Sequence, residues 1–303
     1  MSVIKVILGL LFFVLVVGLL VFYWFLPSGT FDFNIGSRNY NFSVDSEFEE
    51  MQFYENMRFP SSEISYKILD CPLQKEDEME YAFEILSDTS VLNFYPVESG
   101  EEITITCDDE NKIEGGLFIA GEGGPTNITD AGEFSVIQSG KILLIRKSNC
   151  ERPNVALHEL FHVLGYKHSD NRRNILYPTS KCGQVVGDDL IESINYLYSF
   201  PTYPDLVLEN ISSKIDGRLL DTNVTVRNNG LKDAGSSVLV ISADGKEIKR
   251  VDVGPLRIGF GRMMMLTNVF VSNFVVDEIK FEIIYNSEEL EKENNKIELK
   301  IRN

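Results

Sequence analysis

Basic side chains are scarce in this sequence of 303 residues: 28 Lys and Arg stand against 46 Asp and Glu, for a formal net charge of −18 at pH 7. Sequence-independent binding to nucleic acid requires clustered Lys and Arg that neutralise phosphates. Binding to anionic lipid requires the same clusters. We therefore expect no nucleic-acid partner. The acidic excess is typical of a soluble, well-hydrated surface.

Charged residues are absent from residues 6–26, a run of Val, Ile, Leu, Phe and Gly that ends in an aromatic cluster. About 20 apolar residues span the hydrocarbon core of a bilayer as a helix, so residues 1–27 are predicted to form a transmembrane anchor. Lys5 puts positive charge on the short leading side, which predicts a cytoplasmic N terminus and extracellular domains at the cell membrane. A cleaved signal peptide is the alternative, although the run exceeds the usual length and no clear cleavage pattern follows it.

Cysteine is also rare, and its four copies, Cys71, Cys107, Cys150 and Cys182, all follow the apolar run. An even number on the outward side predicts two disulfides. A bridge between Cys150 and Cys182 would staple the histidine-rich segment that they flank, leaving Cys71 to pair with Cys107. The sequence alone is compatible with three pairings.

Residues 28–58 are polar and aromatic without a clear period and are predicted to be a stalk or lead-in. Strand and helix patterns follow over residues 59–202, which predicts an α+β domain. Within it, GEGGPTNITDAG (residues 121–132) is predicted to be a loop, and the next segment a hairpin that turns at Ser139 and Gly140.

Prolines at positions 201 and 204 end the last predicted helix and place a domain boundary near residue 203. Beyond it, short apolar runs alternate with turn signals such as NNG and ADG. Residues 203–303 are therefore predicted to form an all-β, Ig-like sandwich.

All three histidines lie in the segment HELFHVLGYKH, residues 158–168. Residues four apart share one face of a helix, so His158 and His162 can point at one ion. Gly165 is suited to end the helix, so that the chain turns and His168 reaches back as a third ligand. Three imidazoles leave a fourth zinc position open, which is typical of a catalytic ion.

Glu159 lies one step round the same helix and is predicted to be the general base that takes a proton from a zinc-bound water. A structural zinc site is the alternative, but it needs a fourth protein ligand, and no cysteine lies inside the segment. The sequence therefore predicts a single catalytic Zn²⁺ ion.

HELFHVLGYKH resembles the metzincin signature HExxHxxGxxH, and the following NILYP resembles the Met-turn of the matrixin branch, with Leu176 in place of the methionine. This resemblance implies a metzincin-like protease domain that hydrolyses internal bonds of protein or peptide substrates. It also implies that LFIA, residues 117–120 (Leu117, Phe118, Ile119 and Ala120), is the edge strand that pairs with substrate. No histidine is left for the second, structural zinc of matrixins.

The region from Pro204 resembles the CARDB family of adhesion-like β-sandwiches, on segments such as PDLVLENI and VTVRNNGLKDAG. The resemblance implies a non-catalytic module that acts as a spacer or binds a surface partner. The alternative to an enzyme is thus an inactive surface adhesion protein. Glu159 argues against it, because a decayed enzyme would readily lose its general base while keeping the ligands.

Overall fold

The computed structural model describes residues 3–24, 30–33, 49–109, 113–114, 117–146, 150–273 and 275–300. It starts with helix α1 (Val3–Trp24) and the short strand β1 (Thr30–Phe33). A region of mixed helices and strands follows, and then a region of strands in two sheets. The predicted combination of α+β content with sandwich sheets is therefore confirmed.

Helix α1 covers most of the predicted anchor. The side chains described in it, residues 5–21, are largely exposed, with Phe12 at 69% and Phe13 at 68%. Among the described residues, no helix has the combined length and apolar character that crossing a membrane requires. The anchor stays a prediction.

The first region is built on one sheet with the strand order β2-β9-β5-β3-β4, and β8 pairs with β9 along its whole length. Its strands are β2 (Met57–Arg58), β3 (Glu63–Leu69), β4 (Asn93–Pro96), β5 (Ile103–Cys107), β8 (Gly121–Ala131) and β9 (Phe134–Leu144), while β6 (Ile113–Glu114) and β7 (Leu117–Phe118) form a separate ribbon. The helices are α2 (Leu73–Thr89), α3 (Asn154–Val163) and α4 (Asp188–Leu197). Helix α2 buries an apolar stripe that includes Met79, Phe83 and Leu86, as its helical period predicts.

Two local predictions in this sheet were wrong. Residues 121–131 are not a loop but strand β8, antiparallel to β9. The chain turns at Gly132 and Glu133, and β9 continues straight through Ser139 and Gly140. A Cβ on Gly140 would lie 2.6 Å from Cγ1 of Val163, so this glycine permits close packing of a helix on the strand and does not make a turn.

The second region is a sandwich of two four-stranded antiparallel sheets, with the orders β1-β14-β11-β10 and β13-β12-β15-β16. Its own strands are β10 (Leu206–Asp216), β11 (Leu219–Asn228), β12 (Ala234–Ala243), β13 (Lys246–Leu256), β14 (Gly261–Phe270), β15 (Glu278–Ile284) and β16 (Lys296–Lys300). Strand β1 joins from the predicted lead-in, with Thr30 opposite Met264. Alternating inward residues such as Leu239, Ile241 and Phe281 form a core of its own.

Two disulfides lie in the first region, and both cysteines of the first one pack against its core. Cys71 pairs with Cys107, and Cys150 pairs with Cys182, so the preferred pairing is confirmed. The second bridge joins the segment before α3 to the loop that precedes α4.

A third apolar cluster lies where the two regions meet. Ala131, Phe134 and Val136 come from the β8–β9 hairpin, and Leu231 and Ile258 come from the sandwich. The backbones also approach closely, because a Cβ on the sandwich's Gly259 would lie 2.6 Å from the carbonyl oxygen of Asp130. The hairpin is thus packed directly against the sandwich.

Candidate metal centre

Helix α3 is buried along its whole length and carries two of the predicted ligands, His158 and His162, each 7% exposed. Their Nε2 atoms lie 2.9 Å apart. The helix ends at Val163, and Gly165 then adopts a φ of +98°. A Cβ at Gly165 would also lie 2.5 Å from Sδ of Met57, so both the backbone conformation and the space require glycine.

The turn brings His168 to the same point. Its Nε2 lies 3.3 Å from Nε2 of His158, and one ligand atom from each histidine falls within 4.8 Å of the other two. His168 is exposed, whereas the two helical histidines are buried. The structure therefore brings the predicted trio together, open to solvent on the side of His168.

Backbone carbonyls orient the two helical imidazoles. Nδ1 of His158 lies 2.7 Å from the carbonyl oxygen of Ile175, and Nδ1 of His162 lies 2.7 Å from that of Tyr166. A carbonyl only accepts, so each Nδ1 donates its hydrogen and each Nε2 is left with a bare lone pair. Sequence reasoning missed these two carbonyls, because every residue type carries one.

The donor set fits a zinc ion. Lone pairs that converge at 2.9 and 3.3 Å repel each other unless a cation lies between them. Tetrahedral zinc with Zn–N distances of about 2.0–2.1 Å separates its ligands by about 3.3 Å. Burial lowers the pKa of all three imidazoles, that of His162 to about 4, which keeps them in the neutral form that binds metal.

Glu159 lies beside this trio and is 6% exposed. Burial, with a smaller contribution from the negative charge of Glu122, raises the pKa of its carboxyl group to about 8. A nearby cation opposes this effect, because opposite charge favours the carboxylate. The position suits a group that exchanges protons near neutral pH.

Leu176, the predicted Met-turn equivalent, is 2% exposed and belongs to the core of the first region. Its carbonyl oxygen accepts a hydrogen bond from the backbone N–H of Ser169, next to His168, at 3.0 Å. Its own N–H donates to Oδ1 of Asn174 at 2.8 Å. The turn is thereby fixed to the segment that carries the third histidine.

The predicted substrate strand, residues 117–120, immediately precedes β8. Leu117 and Phe118 pair with Glu114 and Ile113 in the separate ribbon, so they are not part of the main sheet. Ala120 continues the line of β8, because its carbonyl oxygen accepts hydrogen bonds from the N–H groups of Ile145 and Arg146. The outermost described strand of the sheet at this side is β8.

Residues 58–199 match the family model described as Matrixin. Macrophage metalloelastase from Rattus norvegicus is 28% identical over an alignment of 171 residues, and the alignment covers 48% of this chain and 35% of that protein. The match thus spans about a third of the length of this curated relative.

Two solved structures are similar at lower identity. The CARDB domain of a Pyrococcus furiosus protein, in complex with di-metal ions, is 19% identical with a TM-score of 0.29, and the match covers 33% of this chain and 87% of that chain. High choriolytic enzyme 1, a hatching-enzyme zinc-protease from Oryzias latipes (medaka fish), is 14% identical with a TM-score of 0.29, over 52% of this chain and 99% of that chain.

The family match and the geometry of the three histidines together support a matrixin-type zinc metalloprotease domain over residues 58–199.

Proposed function

We propose that this protein is a membrane-anchored, outward-facing zinc metalloendopeptidase that hydrolyses internal peptide bonds of proteins. The observation that carries the proposal is the convergence of three neutral imidazoles beside the buried carboxyl group of Glu159. His158, His162 and His168 would hold the ion, and no further protein ligand is needed for a catalytic site.

Zinc, when bound, supplies a Lewis acid that polarises the substrate carbonyl and makes water more acidic. The chain's own contribution to proton transfer is Glu159, whose carboxylate accepts the proton of the attacking water and passes it to the departing amine. Carbonyl groups of Ile175 and Tyr166 keep two imidazoles fixed in the binding tautomer. No covalent intermediate with the protein is required.

An extended substrate would bind along strand β8. Among the described strands β8 pairs with β9 alone, so its other edge is available for main-chain hydrogen bonds to a peptide. Residues 117–120 lead into this strand, and Ala120 already extends its ladder. We therefore assign substrate pairing to the line that Ala120 and β8 form, with the role of Leu117, Phe118 and Ile119 kept as a prediction.

The first prediction concerns the proposed base. The purified protein should contain about one zinc per chain and cleave casein or a peptide library until a chelator removes the metal. Glu159→Gln should keep the zinc and lose nearly all activity, because an amide of the same shape accepts no proton. Substantial cleavage by that variant would refute the assigned base. A zinc-loaded wild type that cleaves nothing would favour the adhesion-protein alternative.

The anchor is tested separately. The described part of α1 exposes apolar side chains on all sides, which is unfavourable in water and supports a lipid environment. Deletion of residues 1–27 should release the remaining chain from the membrane fraction, as measured by sedimentation and immunoblotting. A truncated chain that still sediments with membranes would show that the anchor lies elsewhere.

A surface partner of the sandwich stays a prediction.

A further inference from the structure

Ser193 is a polar residue on the buried face of helix α4. The helix buries Leu190, Ile194 and Leu197 together with this serine, which is 0% exposed. Serine is less favourable than alanine in the interior of a helix, and a hydroxyl group is destabilising in an apolar environment unless it forms a hydrogen bond. A serine at this position therefore requires a partner for its hydroxyl group.

That partner is the hydroxyl group of Tyr166, whose oxygen lies 2.8 Å from Oγ of Ser193. Tyr166 is 1% exposed, and its ring packs edge-on against the ring of Phe161, with 5.9 Å between the two centroids. Phenylalanine and alanine would fill nearly the same space without any hydroxyl group to satisfy. The pair adds a directional contact to the apolar packing, and this contact fixes the ring of Tyr166 on α4.

The backbone of the same tyrosine belongs to the metal centre. Its carbonyl oxygen accepts the hydrogen of Nδ1 of His162 at 2.7 Å, and its N–H donates to the carbonyl oxygen of Phe161 at 3.0 Å. Only Lys167 separates it from His168. Tyr166 thus lies between the ligand that it orients and the ligand that follows it along the chain.

The turn before Tyr166 does not determine its own direction. Gly165 permits a φ of +98°, but glycine adopts many other conformations as readily. The direction in which the chain leaves α3 must therefore be determined by contacts of the neighbouring residues. The side chain of Tyr166 makes the contact that reaches α4.

We propose that Ser193 and Tyr166 are positioning residues of the metal centre: their hydrogen bond holds the Tyr166 carbonyl group against His162 and directs His168 towards the ion. The two hydroxyl groups act through the backbone of Tyr166 and are not themselves ligands. The inference rests on the proposed zinc site. It adds α4, which carries none of the predicted ligands, to the elements that determine the zinc affinity.

The test measures zinc affinity and ligand geometry in the full-length protein. Tyr166→Phe and Ser193→Ala each remove one hydroxyl group, and each should weaken zinc binding about tenfold in competition with a chromophoric chelator, as is usual when groups that orient metal ligands are disturbed. With Co²⁺ loaded in place of zinc, both variants should also shift the visible absorption bands, which report the geometry of the ligands. A hydrogen bond that served stability alone would lower the melting temperature and leave the affinity and the bands unchanged.

Tyr198→Phe is the matched control. The hydroxyl group of Tyr198, the residue after α4, also accepts a hydrogen bond, and its donor is the N–H of Phe59 at 2.9 Å, directly after β2. This variant loses a hydroxyl group from the same region of the core. It should lose stability but bind zinc as wild type does.

The double variant Tyr166→Phe/Ser193→Ala leaves neither hydroxyl group unpaired, so it should regain much of the stability while its zinc affinity stays low. It also gives the comparison if a single variant fails to fold. Wild-type affinity and Co²⁺ bands in the variants of this pair, or an equal loss of affinity in Tyr198→Phe, would overturn the positioning role and leave the peptidase proposal intact. A wild type that binds no zinc would overturn both.

Discussion

Two glycines determine how closely the proposed base sits to the proposed substrate strand. A Cβ on Gly121 would lie 2.8 Å from Cγ and 2.9 Å from Oε1 of Glu159. A Cβ on Gly123 would lie 2.4 Å from the backbone oxygen of Glu159. Helix α3 and strand β8 therefore touch through backbone, and the Glu159 carboxyl group occupies the space that a side chain at position 121 would fill.

Gly121→Ala should consequently displace the carboxyl group of Glu159 while leaving the three histidines in place. We expect kcat/KM to fall about tenfold to a hundredfold, because misplacing a catalytic group by about 1 Å can cost about a hundredfold. Zinc content should not change. Gly124→Ala is the matched control, since nothing lies within 4 Å of its Cβ position. Equal kinetics for the two variants would contradict the steric argument.

The same residues show what the sequence can and cannot predict at the site. The histidines and Glu159 are recognisable because their relationship is local: one helix and one turn bring them together. No residue pattern identifies the carbonyl groups of Ile175 and Tyr166 as partners of the imidazoles, because every residue type carries a backbone carbonyl group.

At the level of elements, helices were easier to predict than the strand beside the site. The apolar stripe of α2 and the helical patterns of α3 and α4 can be recognised from the residues of each segment alone. Strand β8 has no such pattern, because its glycines and proline favour a loop when taken alone. Its extended form comes from pairing with β9 and from the flat contact with α3 that glycines allow.

The segment from Glu49 to Arg58, predicted as part of the lead-in, is packed against the metal centre. Gln52 is 3% exposed, and its backbone forms an isolated antiparallel β-bridge with Tyr166, the residue whose carbonyl group orients His162. The N–H of Phe53 donates to the carbonyl oxygen of Gly165 at 2.8 Å. The segment from Glu49 to Arg58 therefore stabilises the turn at Gly165 through backbone contacts.

Gln52→Ala should loosen that turn, because Oε1 and Nε2 of Gln52 both bond the backbone of Met57. We expect the zinc affinity to fall about tenfold to a hundredfold, the usual effect of disturbing groups that orient metal ligands. Competition with a chromophoric chelator measures the affinity directly. Tyr54→Ala, at a side chain that is 59% exposed, is the control and should bind zinc as wild type does. Unaltered affinity in Gln52→Ala would contradict the orienting role.

On the scale of the whole molecule, the two regions are packed as one unit along the β8–β9 hairpin. Phe134 is 1% exposed, and Leu231 from the sandwich is fully buried. The N–H of Leu231 also donates to the carbonyl oxygen of Tyr203 at 2.8 Å, in the connection between the regions. Apolar packing and a short, hydrogen-bonded connection both restrict independent movement.

Leu231→Asp places an unpaired charge in that contact and should destabilise it by about 3 kcal/mol or more. Differential scanning calorimetry should then show two transitions where wild type shows one, because the regions no longer unfold together. Ile284→Asp alters an apolar side chain of the sandwich that is 41% exposed and should preserve a single transition. Two transitions in wild type would mean that the contact does not couple the regions.

Strand β8 reaches from Gly121, against the Glu159 carboxyl group, to Ala131, inside the contact with the sandwich. An extended strand has little room to lengthen, so its two ends stay at a nearly fixed distance from each other. A displacement at the contact with the sandwich would therefore reach the Glu159 carboxyl group through this one strand.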